Sequence, residues 1–296
     1  MPVLINPRAS ELGKANVLLL GAGRRHHVRD FPGPLSIKTV VRGSAVWKTD
    51  EGEFPVDETS FLVVNHHQPY SLTIESREPV STCCAFFESD FVESVQRSLM
   101  SPAEALLDDP FASSSPVHFL PRLQMQDHRL LPRIRQLHRA AFGGTTPGTW
   151  FEQQMLLLAR DLLGLHSQTR REAASVPSER VSTRIEIYKR LCRAREFMHA
   201  HRDAPVTLAD AARAACLSPY HFHRLFRKTF RETPHQYLVR ERLERARYLL
   251  AHAEMPVTEV CLACGFESLG SFSTLFRRRF GMPPRGFRRL HSKKQD

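Results

Sequence analysis

No stretch of roughly 18 consecutive apolar residues, the length a membrane-spanning helix needs, occurs anywhere in this 296-residue chain. The apolar run Val17–Leu20 near the start is far shorter than the core of a secretory signal, so the cytoplasm is the expected compartment. Cysteine is scarce. The six residues Cys83, Cys84, Cys192, Cys216, Cys261 and Cys264 lie mostly inside apolar segments, which reads as reduced thiols and not as a disulfide framework. Cys261 and Cys264 form a C-x-x-C pair, but no second pair stands at zinc-site spacing and both fall in an expected helix. Their expected role is structural.

Acidic residues are the scarce charge, and only in one half. Residues 181–296 carry 23 Lys and Arg against 11 Asp and Glu, a net +12, while residues 1–180 stand at −1 in a chain of net +11. A basic excess confined to one end suggests that this end meets a polyanion while the other does something else. The length and the 42% hydrophobic content suit two soluble domains of ordinary size, each able to bury a core.

Residues 16–90 read as short strands: Val17–Leu20, Leu35–Val41, Ala45–Lys48, Phe61–Val64, Ser71–Ile74 and Thr82–Phe87. Turn chemistry at Pro32-Gly33-Pro34, Arg42-Gly43-Ser44 and Asp50-Glu51-Gly52 separates them. Many short strands at close spacing favour a small barrel or sandwich over an alternating parallel sheet. Beyond Asp90 the period becomes helical. Leu131, Ile134, Leu137 and Ala141 mark a helix from about Asp127 to Phe142, and the run from Gly143 to Gly148 ends it. A second helix, about Thr149 to His166, carries Phe151, Met155, Leu158, Leu162 and Leu165 on one face. Such helices either pack on the barrel or form a dimer seam. The polar, aperiodic segment 168–183 is the expected linker.

The C-terminal part contains a duplication. Leu208, Ala212, Cys216 and Leu217 recur 49 residues later as Val257, Cys261, Gly265 and Phe266; after one extra residue, Ser218, Phe222, Leu225, Phe226 and Phe230 recur 50 later as Ser268, Phe272, Leu275, Phe276 and Phe280. Pro234 and Tyr237 likewise match Pro284 and Phe287. Each copy is a short helix, a tight turn, a Ser that can cap, and a helix with one aromatic face: a helix-turn-helix. The units span about 207–230 and 256–280, joined by a helix over 234–252. Burying the aromatics turns Tyr220, His223, Arg224, Arg227 and Lys228 outward in the first unit, and Gly270, Ser271, Thr274, Arg277 and Arg278 in the second. Residues near the helix start suit base edges; those further along suit phosphate. His221 and His223 diverge on a helix and make a poor metal pair.

At these residues a family resemblance appears. The run Gly265-Phe266-Glu267-Ser268, Phe272-Ser273, Phe276 through Pro284, and Phe287-Arg288 resembles the signature of AraC/XylS-type transcription regulators, over about residues 185–290. The resemblance implies an α+β protein of two domains: a cupin-like β-barrel with accessory helices over 1–167 for effector binding or dimerisation, and an all-α DNA-binding domain over 184–290. It implies double-stranded DNA as partner, with contacts from Tyr220, His221, His223 and Arg224 and from Leu269, Gly270, Ser271, Ser273 and Thr274. A homodimer, RNA polymerase as a further partner and no enzymatic activity are also expected. Two departures matter. Cys216 stands where the family usually has Gly, and Leu269 and Gly270 have no side-chain hydrogen bonds to offer bases.

The N-terminal strands are similar, more loosely, to cupin-like effector domains. A metal cupin has His-x-His followed by Glu, whereas this chain has His26-His27 and His66-His67. Neighbours on a strand face opposite ways, so each pair supplies at most one inward ligand. No metal and no cofactor are expected. A small-molecule effector pocket lined by some of Trp47, Lys48, His66, Gln68 and Tyr70 is the expectation, although the same residues also suit an unliganded barrel. The competing readings are a cupin-type metalloenzyme with a DNA-binding appendage and a DNA-repair methyl acceptor. The first needs a metal set or an acid/base pair, and the second an exposed thiolate, which Cys83 and Cys84 in an apolar strand do not supply.

Overall fold

The computed structural model describes residues 4–102, 109, 116–125, 129–143 and 147–292. Asp127 and residues 144–146, parts of an expected helix start and helix break, lie outside the described residues. The chain divides into two compact units, Met1–Arg171 and Glu172–Asp296.

The first unit is built on eight strands among the described residues: β1 (Leu4–Ile5), β2 (Val17–Pro32), β3 (Ser36–Arg42), β4 (Ser44–Thr49), β5 (Gly52–Asp57), β6 (Ser60–Val64), β7 (Pro69–Phe86) and β8 (Leu123–Met125). They form one sheet in the order β1-β2-β7-β3-β6-β8, with β4 pairing β5 and β7. The two longest strands, β2 and β7, run antiparallel from Val17↔Phe86 to Pro32↔Pro69, with register shifts at Gly23/Arg25 and Val28/Phe31. These irregularities let one pair of strands bend and serve both sides of a nearly closed barrel. β7 pairs with β4 through its first half (Trp47↔Leu72) and with β3 through its second (Ile37↔Ala85). Turns fall where the sequence placed them. Gly43, at φ +89, reverses the chain between β3 and β4, and a Cβ there would lie 3.1 Å from Val80.

Both faces of the central strands are buried, and the two-residue period sorts their side chains. Ile37, Phe61, Val63, Cys83, Ala85 and Phe87 face outward into a layer of helices. Their neighbours Val40, Leu62, Val64, Cys84 and Phe86 face the barrel interior with Trp47, Tyr70 and Ile74. The covering helices are α1 (Phe91–Met100), α2 (Leu130–Phe142) and α3 (Gly148–Ala174). Leu130, Leu131, Ile134 and Leu137 of α2 and Phe151, Met155, Leu158 and Leu162 of α3 belong to the same core as the outward strand residues. Packing on the barrel is therefore what buries these helix faces. Arg133 ties the two helices together through Gln154 (3.0 Å) and Asp161 (3.2 Å).

The segment 168–183, expected as an irregular linker, is largely helical. α3 continues to Ala174 and the next helix starts at Val181. Tertiary contacts override the polar composition: Thr169 accepts from Arg122 at 2.9 Å, and Glu172 accepts from the Tyr188 hydroxyl at 2.6 Å.

The second unit holds seven helices among the described residues: α4 (Val181–Ala200), α5 (Leu208–Ala214), α6 (Pro219–Phe230), α7 (Pro234–His252), α8 (Val257–Ala263), α9 (Leu269–Phe280) and α10 (Pro284–Ser292). Five of these seven starts have a visible chemical cause. Thr207 and Thr233 form capping boxes with Asp210 and Gln236, Ser218 and Ser268 accept from the backbone N–H of His221 and Ser271, and Pro219, Pro234 and Pro284 open their helices. Among the described residues no helix is long and apolar enough to cross a membrane.

Candidate nucleic-acid interface and barrel cavity

The duplication seen in the sequence is also one of geometry. In the first unit Phe226 packs against Phe222 (5.3 Å between ring centres), Phe230 (4.8 Å) and Tyr237 (5.8 Å). In the second, Phe276 packs against Phe272 (5.7 Å), Phe280 (4.6 Å) and Phe287 (5.7 Å). The same four aromatic positions hold each second helix against the element that follows it. Both helices end in the left-handed region, at Arg231 (φ +61) and Gly281 (φ +78).

With that face buried, the opposite face of α6 is open. Tyr220 is 80% exposed, and Arg224, Arg227 and Lys228 are exposed. His221 and His223 are half-buried, and His223 borders a hollow of about 210 Å³ beside Leu208 and His235. On α9, Leu269 (39% exposed), Gly270, Ser271, Thr274, Arg277 and Arg278 are exposed, while Ser273 is half-buried. Leu275, expected in the core with Phe272 and Phe276, is only partly buried. A Cβ on Gly270 would meet only Ser268 Oγ, at 3.7 Å, so the start of α9 is unobstructed.

The turns of the two units share a backbone conformation and differ in surroundings. Cys216 has φ +53 and Gly265 φ +73. A Cβ at Gly265 would lie 2.8 Å from the Arg202 carbonyl oxygen, which also accepts from Arg242 Nε at 2.7 Å. Cys216 is exposed. The missing glycine therefore leaves the backbone conformation of the first turn unchanged; its strain, roughly 1–2 kcal/mol for a residue with a side chain, is borne at an exposed position.

The helix between the units is fastened to both. Glu241 of α7 meets His199 of α4 at 2.8 Å, and Glu244 meets Arg279 of α9 at 3.3 Å. Burial pushes the Glu241 carboxyl up, but the His199 hydrogen bond and the charges of His199, Arg240 and Arg195 outweigh it and hold the pKa below the usual carboxylate range.

The barrel contains a cavity of about 500 Å³. Trp47 and Tyr70, two of the five expected pocket residues, line it. The other three do not. Lys48 alternates with Trp47 along β4, points outward and pairs with Glu53 at 3.3 Å. His66 is exposed in the turn between β6 and β7, its ring 3.9 Å from that of His67. Gln68 is held by Asp50 (2.9 Å) and Asn65. Sequence reasoning missed Lys38, which is 1% exposed on the inward face of β3. Its Nζ has no hydrogen-bond partner among the described residues and sits 3.8 Å from the Tyr70 ring centre and 3.9 Å from that of Phe86. Burial lowers its pKa to about 7, only partly offset by Cys84. The signal was present: β3 is buried on both faces, and a lysine inside such a strand contradicts its apolar pattern.

Among the described residues no group of three His, Cys, Asp or Glu could hold a metal ion. His26 borders the cavity, whereas His27 bonds Arg29 and Thr73. Burial pushes the Cys83 and Cys84 thiols up, the opposite of what a methyl-accepting thiolate needs.

Comparison with known proteins agrees with this geometry. Residues 21–172 match the AraC-like ligand binding domain and residues 211–290 a helix-turn-helix domain. This chain belongs to the AraC family: it joins an AraC-like ligand binding domain to a helix-turn-helix domain. It is 38% identical over 88 residues to the probable transcriptional regulator LumQ of Photobacterium leiognathi, 30% of this chain and 36% of that protein. It is 47% identical over 66 residues to the transcriptional activator RhaS of Escherichia coli, 22% of this chain and 24% of that one. A crystal structure of a transcriptional regulator with an AraC-type DNA-binding domain from Chromobacterium violaceum is 32% identical and covers 34% of this chain and 91% of its own, with a TM-score of 0.34. The matches to LumQ and RhaS thus span about a third and a quarter of those relatives.

Proposed function

We propose that this protein controls transcription by laying α6 and α9 into the major groove of double-stranded DNA, under the control of a small molecule in the barrel. The observation that carries this reading is the repeated aromatic packing, which frees the same helix face in both units. In the first unit Tyr220, His221, His223 and Arg224 read base edges, with Arg224 the strongest reader because a guanidinium can bond a guanine twice. Arg227 and Lys228, and Arg277 and Arg278 in the second unit, hold phosphates. Leu269, Gly270, Ser271, Ser273 and Thr274 read by van der Waals fit and hydroxyl contacts, so the second half-site is the less stringent. α7, about 28 Å long at 1.5 Å per residue, lets one chain span two groove segments one helical turn apart. RhaS is named an activator, and activation through RNA polymerase by a homodimer is the reading adopted for this chain.

Selection of bound sites from a random DNA pool tests the proposal, using the full chain and residues 172–296. Both proteins should enrich an asymmetric site with two elements spaced by about 10 base pairs. A pool that stays random, or a site with a single element, defeats the two-unit reading.

A further inference from the structure

Among the described residues, the barrel cavity places a buried cation where its walls supply no anion. Lys38 projects into it from β3, buried to 1% exposure, its amine without a hydrogen-bond partner among the described residues and held between the faces of Tyr70 and Phe86. Ring faces attract an ammonium but do not satisfy its three N–H donors. A buried ammonium left in that state is costly, and an anion is what relieves it.

The other titratable groups lining the cavity are Cys84 and Tyr70 from β7 and Arg25 and His26 from β2. Burial pushes both the Cys84 thiol and the Tyr70 hydroxyl up, so neither provides negative charge near neutral pH. Arg25 adds only positive charge. No aspartate or glutamate is among the described lining residues. The remaining wall is largely aliphatic and aromatic, with Trp47, Leu72 and Ile74 on one side. A volume of about 500 Å³ lies in the range of small-molecule sites, roughly 300–1,000 Å³.

We propose that the cavity binds an organic monocarboxylate with an apolar body, its carboxylate paired to the Lys38 ammonium and its hydrocarbon or aromatic part against Trp47 and Ile74. This deepens the effector reading given above and rests on it. A sugar, with many hydroxyls and no charge, leaves the amine unpaired and meets few polar partners on this wall. An amine repels Lys38.

The chain contains two tryptophans, and Trp47 lines the cavity while Trp150 packs against the helical layer. In full-length protein carrying Trp150→Phe, fluorescence therefore reports the cavity. The probes are 4-phenylbutanoate and octanoate, each beside its amide. The acids should shift Trp47 emission in a saturable manner at millimolar concentration or below, and each amide should bind at least tenfold more weakly. Lys38→Met, which removes the charge and keeps the volume, should lose at least tenfold in acid affinity with no loss of melting temperature. Calorimetry on the unmutated protein at pH 8, in two buffers of different ionisation enthalpy, should show uptake of close to one proton per acid bound and none at pH 6. Equal binding of acid and amide, equal acid binding after Lys38→Met, no proton uptake at pH 8, or no response to either acid each overturns the proposal. An acid that binds as described yet leaves operator affinity unchanged spares this inference and defeats the effector-control reading instead.

Discussion

A single residue can carry opposite costs at equivalent positions, as the two turns demonstrate. Gly265 and Cys216 adopt the same left-handed backbone, but only Gly265 has a carbonyl 2.8 Å from where a Cβ would stand. Gly265→Ala should therefore cost about 2–3 kcal/mol, strain plus displacement of Arg202. Cys216→Gly should change stability by less than about 1 kcal/mol, because relief of strain is offset by a more flexible unfolded chain. Chemical denaturation of both variants checks this pair, and equal effects would contradict the packing argument. Lys38 gives a second prediction with its own pH signature. Its folded pKa of about 7 lies below the ordinary 10.5, so between these values the unfolded chain binds the extra proton and stability attributable to this residue rises with pH. Lys38→Met should exceed the unmutated protein by about 2–4 kcal/mol at pH 7, and the gap should narrow towards pH 10. A gap independent of pH would show that the amine is solvated. On the proposed DNA face, Arg224→Ala should cost about 1–3 kcal/mol on the selected site and relax one base position. An equal loss on random DNA would assign Arg224 to phosphate.

At the scale of elements, α7 is more than a spacer. One helix carries Tyr237, packed on Phe226 of α6, Glu241, bonded to His199 of α4, and Glu244, bonded to Arg279 of α9, so both helix-turn-helix units are fastened to a common rod. Glu241 is buried, and its pKa lies below the usual carboxylate range. Its stabilising effect is therefore complete above the unfolded carboxylate pKa, about 4.3, and is lost as pH falls through the lower folded value. Glu241→Gln should destabilise residues 172–296 by about 3–5 kcal/mol at pH 7, since it strands buried cations. The deficit should shrink in strong acid, and thermal melts across pH 2–7 measure it. The same paired elements explain why sequence periodicity worked so well here. Each aromatic triad sits within about three helical turns, where spacing alone decides the face. The segment 168–183 escaped that logic. Its helix persists because Thr169 and Glu172 find partners at Arg122 and Tyr188, and no local pattern announces such contacts.

For the whole molecule, the division into Met1–Arg171 and Glu172–Asp296 separates an almost neutral unit from a strongly basic one. A fragment starting at Glu172, which keeps the bond to Tyr188, should bind DNA by itself. Its affinity should fall steeply with salt, because each neutralised phosphate contributes close to one unit to the log–log slope. Salt-insensitive binding, measured by fluorescence anisotropy between 50 and 200 mM, would remove the electrostatic part of the argument. The sequence alone determined the two helix-turn-helix units, their serine caps, the helix joining them and the strand-rich nature of the first half, because each is written in residues a few positions apart. Only the tertiary structure decided which barrel residues share a cavity. Lys38, Trp47, Tyr70 and Phe86 lie on β3, β4 and both ends of β7, and they meet once those strands pair and close. Trp47 and Lys48 were both expected at the pocket, yet alternation along β4 lets only one of them face it; which side becomes the interior depends on closure of the whole sheet, and that closure is also what encloses a charged amine inside the barrel.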